Sequence, residues 1–493
     1  MAERRMPPLH GRLAALALAL LLAGCAGARK APLEVDLPLP AAYRGSTTDE
    51  RLRSGAELPW WEAYRDPALA KLIAQALERN RDIQLAVARI EETRALIGPA
   101  QYAELPRLSV GADAATERQP RAYRFNLPPG AGRDLRLYGL TANASYELDL
   151  WGRLKSLEAA VRADYLASRF ARETVAISLV GDVAQAYFDI LSTRQQLAIT
   201  RGTLEGRRAF LDLTRRRFEG GRASAVEASR AEAAMLGVQA RIPMLEQQLG
   251  QLENRLALLV GGIAGEPGAL VAPDARLPLP PDVPAGLPSS LLERRPDLLA
   301  ARQELEAASF RADAQRAALL PTISLTASLG LQSRALGDLQ SGGAPTWGLG
   351  AGLLQPRLDA ARNKVLAQAQ EARERQALVR YQRAAEQALR EVSDALVARS
   401  RQAELRDTLA GQAKSLERAA ALAEQRFKAG LAAYFEVIDA QTELLAVQLA
   451  ESDARRALLS ATVALYKSLG GGWDPAAFAE GGPTVSSAAP VAR

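Results

Sequence analysis

The chain has 493 residues, 48% hydrophobic and 24% charged, with a formal charge of +6. Its one cysteine, Cys25, and its one histidine, His10, both lie at the N-terminal end. The long remainder therefore has no thiol or imidazole, which excludes Ser-His-Asp and Cys-His nucleophiles, disulfides and most zinc sites. Carboxylate pairs remain for acid-base work, but no Gly-rich phosphate loop, GxSxG or HExxH occurs. The sequence reads as a non-enzyme with no cofactor and no metal. Basic residues alternate with acids, as in Arg373-Glu374-Arg375 and Glu451-Ser452-Asp453-Ala454-Arg455. That pattern marks a solvated helical surface and gives no nucleic-acid partner.

Residues 1–24 read as a signal peptide: Arg4, Arg5 and Arg12, then an apolar run over 13–22, then Leu22-Ala23-Gly24-Cys25. The run is shorter than the about 20 residues a bilayer needs. The layout resembles a bacterial lipobox, which implies cleavage before Cys25 and its lipidation. Three Arg and one Glu fall in 1–24, so the mature chain carries +4. Residues 25–57 form an extended linker.

From 58 onward the chain repeats itself. Arg217-Phe218-Glu219-Gly220-Gly221 returns as Arg426-Phe427-Lys428-Ala429-Gly430, and Gly261-Gly262 as Gly470-Gly471, an offset of 209. Upstream the offset is 215: Asp82 with Asp297, Pro106 with Pro321, Ser109 with Ser324. Two copies of one unit are expected, 58–261 and 291–475, joined by a Pro-rich linker over 262–290. Each copy reads as helix, β-hairpin, long helix, turn and helix. The hairpins fall at about 105–150 and 320–356, the turns at about 218–224 and 427–434. No proline interrupts Gly130 to Ile242 or Arg357 to Asp474. Ala176, Val180, Val183, Tyr187 and Ile190 form an apolar stripe, matched by Ala385, Leu389, Val392 and Leu396. The long helices are placed at about 153–217 and 362–426, on the order of 100 Å each at 1.5 Å per residue. The tail, 476–493, is rich in Gly, Pro, Ser and Ala and reads as disordered.

The hairpins have a different period. Over 137–148, Tyr138, Leu140, Ala142, Ala144, Tyr146 and Leu148 alternate with Gly139, Thr141, Asn143, Ser145 and Glu147. Over 322–332, Ile323, Leu325, Ala327, Leu329 and Leu331 alternate with Thr and Ser positions. Weaker partners at 107–117 and 346–354 put Val110, Ala112, Ala114 and Trp347, Leu349, Ala351, Leu353 on the apolar side. Such strands suit a transmembrane barrel or a soluble sandwich. Four strands cannot close a barrel, which needs about eight; three chains would supply twelve.

Several motifs carry a family resemblance: Leu58-Pro59-Trp60-Trp61-Glu62 through Asp66-Pro67 and Asn80; Tyr146-Glu147-Leu148-Asp149-Leu150-Trp151-Gly152-Arg153; Arg294-Arg295-Pro296-Asp297-Leu298; Arg426-Phe427 with Gly430; Asp439-Ala440-Gln441; and Leu469-Gly470-Gly471-Gly472-Trp473. With these the chain resembles the TolC-like outer-membrane efflux family, in its lipoprotein branch around OprM and NodT. The resemblance implies a mainly α fold with a membrane β segment. A homotrimer would form a twelve-stranded β-barrel, four strands per chain, continued by a long periplasmic α-helical barrel. It would be the lipid-anchored outer-membrane exit duct of a tripartite pump for small molecules such as drugs. Its partners would be outer-membrane lipid, a periplasmic adaptor and an inner-membrane RND-type pump. Two further readings remain open: an exit channel for protein secretion, and a lipid-anchored helical scaffold with no pore.

The candidate site residues follow. Gly221 and Gly430 fit helix C-caps needing φ > 0. The resemblance makes Gly221, Arg222, Gly430 and Leu431 adaptor-contact turns. Glu436 and Asp439, spaced i, i+3, share a helix face just past the second turn, with Glu227 and Arg230 at the matched positions. A helix first turn favours acids through its dipole; the resemblance instead makes these four a periplasmic gate. The chain departs from the family at Pro356-Arg357-Leu358-Asp359-Ala360-Ala361-Arg362, and at Ala432, where TolC has an arginine.

Overall fold

Helical stretches, alternating strands and glycine stops divide the chain into nine α-helices, two short 3-10 helices and four strands among the described residues. The computed structural model describes residues 40, 43, 59–118, 134–263, 270–281, 283, 291–355 and 360–473. Cys25, the signal peptide, most of both linkers, 356–359 and the tail lie outside them.

The first copy runs α1 (Pro67–Arg79), α2 (Arg81–Tyr102), β1 (Arg107–Arg118), β2 (Asp134–Leu148), α3 (Arg153–Glu219), α4 (Ala225–Gln239) and α5 (Arg241–Leu259). The second runs α6 (Leu291–Arg294), α7 (Pro296–Ala317), β3 (Thr322–Ser333), β4 (Pro345–Leu354), α8 (Ala360–Lys428) and α9 (Tyr434–Ser468). The repeat holds residue for residue. Shifting α2 and β1 by 215 gives the limits of α7 and β3, and shifting 225–259 by 209 gives those of α9. Two differences have local causes. Pro243 lacks the N–H that would bond back to Gln239 and its ring crowds that carbonyl, so copy one breaks into α4 and α5, whereas Ser452 at the matched place leaves α9 continuous. Gly152 turns at φ 71 before α3, whereas the matched Ala361 is already inside α8.

The chain divides into two compact units that cut across the repeats. The first comprises the strands with their flanking helical segments (described over Ile90–Ser168 and Ala301–Tyr381); the second comprises Leu37–Arg89, Arg169–Ala300 and Gln382–Arg493.

In the first unit the strands form one antiparallel sheet in the order β1-β2-β3-β4. The register aligns Val110, Ala142, Leu329 and Trp347 across all four strands, and Ala112, Leu140 and Leu331 across three. Directly opposed residues share a face, so every apolar series identified in the sequence lies on one side. Thr141 with Gly330 and Asn143 with Ser328 lie on the other.

In the second unit the stripe of α3 becomes core. Ala176, Val180, Val183, Tyr187 and Ile190 pack with Leu69, Leu72 and Ile73 of α1, Val392 and Leu396 of α8, and Leu459, Val463 and Leu465 of α9. Trp60 stacks on Tyr466, centroids 5.0 Å apart. Helix α3 contains a stretch long and apolar enough to cross a membrane, but two thirds of it is buried in the protein, and this core accounts for its apolarity.

Candidate functional site

The sheet offers an unusual surface. Its apolar face is bare: Val110 is 72% exposed, Leu329 66%, Trp347 78% and Leu349 79%. Water does not tolerate so broad an apolar area without a partner. Strands of 10 to 15 residues, apolar on one face and polar on the other, match the hydrocarbon thickness when tilted. The polar face is crowded instead. A Cβ on Gly139 would lie 2.6 Å from Asp113 Oδ1, on Gly350 2.8 Å from Thr326 Oγ1, and on Gly348 2.9 Å from Ser328 Oγ. Side chains converge on the inside of a curved sheet, so glycine there lets the polar face be concave. Among the described residues, strands β1 and β4 each leave one edge unpaired.

The helix turns in the second unit are built alike. Gly221 and Gly430 take φ 71 and 76. Arg222 N–H donates to the Arg217 carbonyl at 2.7 Å and Leu431 N–H to the Arg426 carbonyl at 2.8 Å, which closes both helices in the Schellman manner. Phe210 stacks on Tyr434 at 4.7 Å and meets Phe427 at 5.0 Å. The Arg217 guanidinium sits 4.5 Å above the Phe427 ring. With Leu211, Ala231 and Val437 these rings form a small core joining the two turns. Leu431, Phe435 and Val226 remain 60% or more exposed around it.

The acids past the turns differ. Glu227 closes a capping box: its Oε2 accepts from Ser224 N–H at 2.8 Å, while Ser224 Oγ accepts from Glu227 N–H at 3.2 Å. Helix α9 has Ala433 at its N-cap, with no side chain to cap it. Glu436, Asp439 and Arg230 are exposed, and among the described residues none of them pairs with an opposite charge within the chain.

The family motifs turn out to be junctions. Asp66 Oδ1 accepts from Ala68 and Leu69 N–H, capping α1, and its Oδ2 accepts from the buried Tyr187 hydroxyl at 2.7 Å. Burial, then that bond to Asp66, pushes the Tyr187 pKa up. Asn80 Nδ2 donates to the Leu259 carbonyl at 3.0 Å. At the matched place in copy two, Arg295 Nη1 donates to the Ser468 carbonyl at 3.0 Å and to Glu391 at 2.9 Å, while Nε and Nη2 grip Asp297. Burial acts to lower the Arg295 pKa, but Asp297 and then Glu391 override it and raise it. The long-range pairings, Asp66 with Tyr187, Asn80 with Leu259, and Arg295 with Glu391 and Ser468, have no local sequence signal, because the partners lie 96 to 179 residues apart. Arg207, 3% exposed beneath the aromatic core, was likewise invisible in the sequence; its only hint is a cation where the repeat has Leu416.

A four-stranded sheet with one bare apolar face and, among the described residues, two unpaired edges fits a subunit of an outer-membrane channel. The sequence profile of the outer membrane efflux protein family matches residues 72–262 and 287–471, once per repeat. The chain is 33% identical over 467 residues to the toluene efflux pump outer membrane protein TtgF of Pseudomonas putida, covering 93% of this chain and 96% of that one. It is also 33% identical to the antibiotic efflux pump outer membrane protein ArpC of Pseudomonas putida, over 92% and 94% of the two chains. The solved structure of the outer-membrane channel OprN superposes with a TM-score of 0.82 at 26% identity, covering 90% of this chain and 99% of that one. The chain belongs to the outer membrane efflux protein family, and it is an outer-membrane efflux channel of a tripartite system.

Proposed function

We propose that this chain is a lipid-anchored homotrimeric exit duct for small molecules, delivered by an inner-membrane RND-type pump through a periplasmic adaptor. The observation that carries it is the continuous apolar face across all four strands, ending at two unpaired edges. In lipid an open edge is not tolerated, so copies must share a barrel, and three copies give twelve strands. Relatives named for toluene and antibiotic pumps support small-molecule cargo. Cys25 behind its signal peptide supports the anchor.

The turns at Gly221-Arg222 and Gly430-Leu431 would meet the adaptor. Their support is exposed apolar surface on a rigid aromatic base. Glu436 and Asp439 would gate the duct. They are exposed and, among the described residues, without a cation, and three copies would place six carboxylates about one axis, favouring cations. Glu227, held in its capping box, and Arg230 would stand beside this ring. The adaptor then biases opening by binding the open conformer better.

The test is expression beside the cognate pump and adaptor in a strain lacking the native duct. An unheated gel should show a heat-sensitive oligomer, dye accumulation should fall, and planar bilayers should show cation-selective conductance. A monomeric, non-conducting protein would overturn the reading.

A further inference from the structure

Arg207 projects from α3 to α9. Its Nη2 donates to the Ile438 carbonyl at 3.3 Å and to Thr442 Oγ1 at 2.9 Å. Among the described residues its Nε and Nη1 meet no hydrogen-bond acceptor. Among the described residues no carboxylate pairs with it. Burial lowers its pKa, with the Tyr434 hydroxyl acting against that shift. A buried arginine with orphaned donors is costly, and Leu416 at the matched place shows that the fold can fill this position without charge.

What copy one gains is location. Ile438 directly precedes Asp439, and Thr442 lies one turn further along the same helix. Glu436, Asp439 and Glu443 of this helix are exposed and, among the described residues, none has a cation within the chain. A cation sealed away from solvent ions is poorly screened and acts further than a surface one. We propose that Arg207 is the fixed counter-charge of the gate acids: it pins the first turns of α9 and offsets the negative field that Glu436 and Asp439 impose. This rests on the gate reading above.

The test measures reversal potentials in a salt gradient across planar bilayers, on oligomers verified by unheated gel. Arg207→Met should raise the cation-to-anion permeability ratio, roughly threefold, and strengthen block by multivalent cations. Arg207→Lys should match the parent at neutral pH. A lysine here has its pKa lowered by burial, so its selectivity should drift towards that of the Met variant as pH rises, while the parent stays flat. The titratable group set against Arg207 is Tyr434, whose pKa burial pushes up, and Glu205, Arg208 and Asp212 are exposed on α3. In the Glu436→Ala, Asp439→Ala background, Arg207→Met should change nothing further. Equal shifts from Met and Lys at neutral pH, or a full Met effect without the two acids, would reduce Arg207 to packing. If removing the acids shifts selectivity and Arg207→Met does not, only the counter-charge fails; if removing the acids does nothing, the gate reading fails and takes the counter-charge with it. Should the Met variant not assemble, the pH profile of the Lys variant decides.

Discussion

Single side chains in this protein work hardest where two helix ends meet. Arg295 is the clearest case: it holds Asp297, Glu391 and the last carbonyl of α9 with one guanidinium, its side chain 10% exposed. Arg295→Ala leaves two acids unpaired in a confined place, so it should cost about 2–3 kcal/mol, the low end for breaking a buried pair because both acids are a third exposed. Asn80→Ala, which removes the matched bond and a helix cap, should cost about 1 kcal/mol. Chemical denaturation of the detergent-solubilised protein would rank them; equal losses would mean the ion pairs contribute nothing beyond the carbonyl bond. Tyr64 presents the opposite situation. Its ring packs on Trp60 and Phe188, but among the described residues its buried hydroxyl has no partner. Burial raises its pKa above the ordinary value of 10.0. A raised tyrosine pKa means the unfolded chain ionises first, so this group takes nothing from stability through ionisation below pH 10 and lowers it as pH climbs from there towards the folded value. Tyr64→Phe should therefore be stabilising by about 1 kcal/mol at neutral pH and should blunt the loss of stability above pH 10. A destabilised variant would mean that the hydroxyl has a bonding partner after all.

Among the elements, helix ends and sheet faces make the sharpest claims. Gly261 and Gly221 both hold a left-handed φ, 79 and 71. A Cβ at Gly261 would lie 2.6 Å from Arg79 Cβ and from its carbonyl oxygen, whereas at Gly221 it meets nothing within 4 Å. Gly221→Ala should cost only the backbone strain, about 1–2 kcal/mol, and Gly261→Ala clearly more, read by the same denaturation. The faces of the sheet separate in another way. Leu329→Arg puts a charge on the apolar side and should cost about 2–4 kcal/mol in the membrane, while Asn143→Arg on the polar side should leave yields of heat-sensitive oligomer nearly unchanged. Equal yields would reject the face assignment. These elements were legible in advance because they are written locally: period two for the strands, period 3.6 and glycine stops for the helices, and a constant offset for the repeat. What stayed hidden was pairing at a distance. Nothing near Asn80 announces Leu259, nothing near Arg207 announces Thr442, and the use of glycine on the polar face needs the strand register before Gly139 can be set against Asp113.

At the level of the whole molecule, one chain is an incomplete object. Among the described residues its four strands end in the unpaired edges of β1 and β4, and a bilayer offers no water to satisfy the amides there, at several kcal/mol for each one left open. Pairing those edges between copies removes the penalty and gives the barrel. The lipid proposed on Cys25 would add only about 0.8 kcal/mol per buried CH₂, and one acyl chain alone would hold a protein marginally. The two contributions would be unequal, so the barrel should dominate both insertion and assembly, and the proposed anchor would serve to deliver the chain to the membrane. Cys25→Ala should accordingly abolish acylation, detected as loss of the lipid mass and of radiolabelled fatty acid. It should slow the appearance of the oligomer, yet leave the assembled protein in the outer-membrane fraction, resistant to carbonate extraction and heat-sensitive on gels. Recovery of the variant as a soluble periplasmic monomer would show that the lipid, rather than the shared sheet, holds this protein in the membrane.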